Sequence, residues 1–121
     1  MRRFLFLLLF LPILAFAQQV VRYEHRVMAG KNSQAPKGVV EAVLRMPTGE
    51  VNGKALVILH HKGGGRTGTT TQYGEDFSQR GFVTLEPRMF NVPNQSDMQV
   101  QVGQMLGALE YLAGLPQVRK D

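Results

Sequence analysis

Two stretches of the chain alternate apolar with polar residues at period two. One places Val21, Tyr23, His25 and Val27 on a single face, the other Val40, Ala42, Leu44 and Met46. Such alternation belongs to a strand with one face on a core and the other toward water, and it predicts half-buried strands over 19–27 and 38–46. Residues 29–37 between them are rich in Gly, Asn, Ser and Pro. An antiparallel hairpin with a long loop is the expected join. After a second turn region at 47–53 the pattern changes to the unbroken apolar run Ala55-Leu56-Val57-Ile58-Leu59. A strand covered on both faces reads this way, so a central strand is expected there.

Helical spacing follows. Residues 69–80 suit a helix with Thr69 or Thr70 as its N-cap, Tyr73 and Phe77 one turn apart facing inward, and Gly81 as the closing glycine. Residues 82–85, Phe-Val-Thr-Leu, predict a second buried strand. Past a loop at 91–95, Ser96 and Gln99 form a capping box for a long helix. Its expected apolar face is Met98, Val102, Met105, Leu106, Leu109, Leu112 and Ala113. Gly103 and Gly107 lie on a neighbouring stripe, where they let a helix approach a sheet closely at about 1 kcal/mol of helix propensity each. Gly114 and Pro116 stop the helix. A hairpin followed by strand, helix, strand, helix is an α/β layout, with right-handed crossovers and parallel later strands. The helix calls for a further parallel strand, and 115–121 supply none.

Composition narrows the class. The chain has 121 residues, 44% hydrophobic and 19% charged, which suits one globular domain rather than a disordered tail or a coiled coil. It has no cysteine, so disulfides, thiolate metal sites and a cysteine nucleophile are excluded, and any catalysis must use oxygen or nitrogen groups. Arg2 and Arg3 precede an apolar run from Phe4 to Phe16, and Ala15-Phe16-Ala17 supplies a small-x-small cleavage pattern. The run is too short for a membrane anchor, reaching about 20 Å of a roughly 30 Å hydrocarbon core. Residues 1–17 are therefore expected to be a cleaved signal peptide, residues 18–121 the mature domain, and the protein secreted or periplasmic. No membrane association is expected after cleavage. Because two of the 14 basic residues lie in the leader, the net charge of +5 overstates that of the mature chain. Arg22, Arg26, Lys31, Lys37, Arg45 and Lys54 are dispersed without aromatic interleaving. They read as solvated faces, and a nucleic-acid partner is not expected.

The segment that bears on chemistry is His60-His61-Lys62-Gly63-Gly64-Gly65-Arg66-Thr67-Gly68. A glycine-rich loop at the carboxyl end of a buried parallel strand leaves backbone N–H groups open to a ligand. Together with the apolar strand before it, the Arg80-Gly81-Phe82-Val83-Thr84-Leu85-Glu86-Pro87 strand and the helix ending in Glu110-Tyr111-Leu112, this segment resembles the α/β-hydrolase superfamily, in its dienelactone-hydrolase-like branch. The likeness runs over 39–121. It implies the N-terminal half of such a sheet, with the 55–60 strand between the 82–86 strand and a nucleophile-bearing strand. It also implies that backbone N–H groups around Lys62 and Gly63 stabilise the oxyanion of a tetrahedral intermediate, supported by His60, His61, Gly64 and Gly65. The implied substrate of a complete domain is a small ester or lactone, with no cofactor.

The same resemblance requires a Gly-x-Ser-x-Gly nucleophile elbow and a triad acid and histidine. The chain contains no such pentapeptide. Neither Ser33, Ser78 nor Ser96 stands in that context, and Ser96 is explained as a helix cap. The expectation is an exported hydrolase half, inert alone, whose partner is the missing C-terminal half. The alternative is a small exported binding module that uses the glycine loop.

The remaining candidates carry less. Adjacent His60 and His61 point to opposite sides of an extended segment and have no carboxylate at a ligand spacing, so hydrogen bonding that holds the loop is expected rather than a metal. His25 reads as a partly exposed strand residue. Gly63 and Gly68 have the spacing of a phosphate-binding loop, but Thr69 stands where its lysine belongs. Glu86, Arg88 and Asp97, on or after the second parallel strand, are candidates to line a substrate cleft but read more simply as a strand-end carboxylate, a loop cation and an acid at a helix start. The stripe from Met98 to Met105 reads as core.

Overall fold

The computed structural model describes residues 18–26, 38–60, 68–89 and 98–121. The expected leader at 1–17, Ser33, Ser96, Asp97 and the glycine segment at 61–67 lie outside the described residues.

The alternating segments form β1 (Gln18–Glu24) and β2 (Val39–Arg45), paired antiparallel with Tyr23 opposite Val40 and Val21 opposite Ala42. Strands β3 (Ala55–Val57) and β4 (Val83–Pro87) run parallel to each other, and β2 pairs antiparallel with β4. The sheet order is β1-β2-β4-β3. Helix α1 (Gly68–Gln79) joins β3 to β4, and α2 (Met98–Ala113) follows β4. The α/β layout and the parallel pairing of the later strands are as the pattern predicts.

The apolar run pairs with β4, as the resemblance implies, and its other side is an edge of the described sheet; it is half-buried rather than covered on both faces, whereas β4, interior like β2, is buried along its whole length. An apolar run reports that side chains leave water, not which strand lies on each side. Pairing order decides that, and here β4 takes the place between two partners.

Sheet register sorts the side chains into two faces. Tyr23, Val40, Ala42, Leu44, Val83 and Leu85 pack on one face against Val100, Ala108 and Leu112 of α2, and this is the hydrophobic core. The helix approaches the sheet most closely at its glycines: a Cβ at Gly107 would stand 2.7 Å from the Glu24 carbonyl oxygen, and one at Gly103 would collide with that of Arg26. The expected apolar face is followed only in part, with Leu112 buried and Val102, Met105 and Leu106 half-buried. Met98 is 77% exposed and Leu109 48%, while Gly103, Gln104, Gly107 and Ala108 face inward. Met98 is therefore surface, not core.

After α2 the chain turns back, and Arg119 N–H donates to the Gly53 carbonyl at 2.9 Å. Leu115 and Val118 pack on the margin of the core. Among the described residues no helix is long and apolar enough to cross a membrane.

Helix α1 also departs from its expected face. Thr69 and Thr70 lie within its first turn instead of capping it, Tyr73 is 54% exposed, and the buried stripe is Thr70, Gly74 and Ser78. Phe77 is half-buried, edge-on to Phe82 at 5.5 Å between ring centres. Gly81 closes the helix at φ +92°, where a Cβ would also press on the Glu50 carbonyl oxygen at 2.8 Å.

Candidate functional site

Parallel strands deliver their following loops to one rim, and in open α/β sheets that carboxyl rim is where ligands bind. β3 and β4 share such a rim. The ladder continues one rung past β3, with Ile58 N–H donating to the Leu85 carbonyl at 2.8 Å. Beyond it, Met89 N–H, just after β4, donates to His60 Nε2 at 3.1 Å. His60 thus ties the chain leaving β3 to the chain leaving β4. Residues 61–67 then pass outside the described part, and with them lie Lys62 and Gly63, the expected oxyanion donors, and His61, Gly64 and Gly65, their expected support.

The segment returns as α1, and its first turn is fixed from below. Thr70 Oγ1 donates to Glu86 Oε1 at 2.7 Å, and Arg45 Nη1 donates to Glu86 Oε2 at 2.9 Å. The ion pair is almost fully enclosed, with side chains 3% and 1% exposed. Both placements correct the sequence reading. Arg45 is no solvated cation, because the strand that aims Ala42 and Leu44 at α2 turns Arg45 to the opposite face, where α1 covers it. Glu86 is no surface carboxylate at a strand end, because β4 is interior and α1 lies above it.

The stripe of small residues on α1 makes room for this pair. A Cβ at Gly74 would collide with Arg45 Nη1 and lie 2.9 Å from Cζ. Thr84 Oγ1 donates to the Gly74 carbonyl at 3.3 Å, and Ser78 Oγ donates to the Met46 carbonyl at 3.1 Å. Ser78 is thus a buried anchor and not a nucleophile exposed at a turn. Only one Arg45 nitrogen is engaged: Nε and Nη2 are buried without hydrogen-bond partners among the described residues. An unmet buried donor costs about 1–3 kcal/mol, so the pair orders the helix at some expense of stability.

Arg88, just beyond β4, folds back onto β2: its N–H donates to the Glu41 carbonyl at 2.8 Å and its Nη1 reaches Glu41 Oε1 at 3.4 Å. Arg22 approaches the same carboxylate at 3.7 Å. These pairs are partly solvated and worth little individually. Two clefts open at the other end of the parallel strands, one lined by Pro47, Glu50, Arg80 and Gly81, the other by Lys54, Leu109 and Arg119. Both are remote from the carboxyl rim. No group of three His, Asp or Glu converges to hold a metal among the described residues.

Sequence reasoning identified His60 but missed Arg45 as a partner of Glu86. The available signal was the Thr70, Gly74, Ser78 stripe at one-turn intervals, too small and polar to be a greasy contact and therefore suited to lie over a buried charge. His25 was also misjudged. It is buried at 4% exposure, just beyond β1, with both ring nitrogens in hydrogen-bond contact.

The described residues define an α/β arrangement, a mixed four-stranded sheet with two helices. Compared with protein-family models and with curated protein sequences, the chain matches none.

Proposed function

We propose that the chain is the N-terminal portion of an exported hydrolase domain of the dienelactone-hydrolase-like kind. It contributes the oxyanion loop and relies on a further segment for the nucleophile, acid and histidine. The supporting observation is the placement of the flanks of the glycine segment: His60 lies past β3 at the carboxyl rim beside the end of β4, and that family's loop follows the corresponding strand end. His60 at one flank and the Thr70–Glu86 bond at the other fix the two ends of the segment, as preorganised oxyanion donors require.

On this reading Lys62 and Gly63 supply the donors. A small ester or lactone is the substrate of the complete domain, and no cofactor is needed. The outer edge of β3 receives the nucleophile strand. The 121 residues by themselves hydrolyse nothing, since electrostatic stabilisation without a nucleophile leaves the acyl carbon unattacked.

Translation of the genomic DNA beyond the Asp121 codon in three frames tests the proposal. A strand followed by Gly-x-Ser-x-Gly is expected, and its absence from every frame would overturn the hydrolase reading. With the chain alone, hydrolysis of a nitrophenyl acetate is expected not to exceed that of a heat-denatured control. Turnover lost on Ser33→Ala, Ser78→Ala or Ser96→Ala would refute the assigned site.

A further inference from the structure

We propose that His25 is a proton-sensitive clasp. In its neutral form it locks the start of β2 to the end of β1 and to α2, and protonation releases it. The inference is independent of the hydrolase reading.

The closing rung of the hairpin is unusual. His25 N–H donates to the Gly38 carbonyl at 3.1 Å, as in an ordinary ladder. The return bond goes to a side chain, with Gly38 N–H donating to His25 Nε2 at 2.7 Å. The other ring nitrogen, Nδ1, lies 3.2 Å from the Arg26 carbonyl oxygen. A carbonyl only accepts, so Nδ1 carries the proton, and an amide N–H only donates, so Nε2 carries none. The two contacts together specify one neutral tautomer.

The ring is also tied to α2. Arg26 N–H donates to the Gly103 carbonyl at 3.0 Å, and the Arg26 carbonyl that receives Nδ1–H is the group pressed against Gly103. The imidazole thus bonds Gly38 and Arg26 directly and is linked to α2 through the Arg26 backbone.

Adding a proton to Nε2 sets two donors face to face. The Gly38 bond is lost and a charge is placed where the residue is 4% exposed. The charged groups on the surrounding elements do not offset this. Glu110 on α2 holds Arg26 at 3.0 Å. Glu41 on β2 holds Arg88 and Arg22. Glu24, next to the ring in the chain, is exposed, and the Tyr23 phenol donates to the Gln104 carbonyl. None of these is hydrogen-bonded to the ring among the described residues. The clasped geometry leaves no place for a second ring proton beside the Gly38 N–H, so acid is expected to weaken the clasp.

Amide hydrogen exchange on the whole chain between pH 7.5 and 5, corrected for the intrinsic rate, tests this. Protection at Gly38 and Arg26 is expected to fall at least tenfold while Leu44 and Leu85 keep theirs. The limit for one proton is about tenfold per pH unit. His25→Gln retains an acceptor and cannot titrate, so it should flatten the dependence at Gly38. A chain carrying His60→Gln and His61→Gln, in which His25 is the one remaining histidine, should retain it. If His25→Gln does not fold, nitrogen chemical shifts of the wild-type ring at pH 7.5 still decide, because the clasp requires the Nδ1–H tautomer. An Nε2–H tautomer, or protection at Gly38 that does not change with pH, would overturn the proposal.

Discussion

The two faces of the sheet solve one problem with opposite chemistry. Each is covered by a helix whose inward stripe is small, Gly103 and Gly107 on α2 and Thr70, Gly74 and Ser78 on α1. Under α2 the small residues bring helix and β1 backbones together over an apolar core. Under α1 they leave space for a guanidinium, and the enclosed contents are Arg45, Thr84 and Glu86. One face gains stability from apolar area removed from water, and the other from a few oriented hydrogen bonds around a costly charge pair. The face that holds charge is the one whose helix begins where the glycine segment ends. Directional bonds fix the position of that helix start in a way that non-directional apolar contact does not.

The sharpest way to break this contrast is to remove half of the ion pair. Arg45→Met removes the counter-charge of the Glu86 carboxylate beneath α1 and should cost about 3–5 kcal/mol by chemical denaturation. If the face works as argued, Arg45→Met combined with Glu86→Leu should recover most of that loss. A double variant as unstable as the single would show that packing, and not the lost counter-charge, dominates.

On the other face, Gly103→Ala directs a methyl at the Arg26 carbonyl, a backbone group with little freedom to move. A loss of about 1–3 kcal/mol is expected even though alanine is the better helix former by about 1 kcal/mol. A gain in thermal midpoint would mean that α2 does not approach β1 so closely.

Tyr23→Phe is a finer probe of the same face. It deletes the 3.0 Å bond from the phenol to the Gln104 carbonyl, for about 1 kcal/mol. Burial raises the Tyr23 pKa above its ordinary value. The folded state therefore keeps a proton that the unfolded state releases above about pH 10, and stability should fall as pH rises through that region. The phenylalanine variant should lose this part of the alkaline slope, as measured by urea unfolding across pH 9 to 11.

The smallest effect is expected at Leu109, 48% exposed despite its place on the helix's expected apolar stripe. Leu109→Ala should change stability by less than about 0.5 kcal/mol. A loss of several kcal/mol would restore the stripe read from spacing.

How far the chain was legible can be judged from particular residues. Alternation around Tyr23 and Leu44 gave both hairpin strands and the residues that face α2, because a period of two sets which side chains share a face. Gly81 marked the end of α1 correctly, since the left-handed backbone there excludes other residues. The close approach at Gly103 and Gly107 is as their stripe predicts, whereas spacing alone does not show that Met98 and Leu109 stay exposed or that Gly74 lies over Arg45. Of the expected oxyanion loop, the structure describes only the flank at His60, together with Thr70 beyond the segment's other end.

The sequence by itself determined the α/β class, the order of elements, the hairpin and the glycine segment after the third strand, because each depends on patterns within a few residues. The tertiary structure decided that β4 and not β3 takes the interior of the described sheet, that Arg45 and Glu86 meet across 41 positions of chain, and that His25 closes a rung with Gly38. Those outcomes depend on which backbone lies beside which. A polar residue in a strand looks alike in sequence whether water, a helix or an opposite charge covers it, and only the packed elements distinguish these environments.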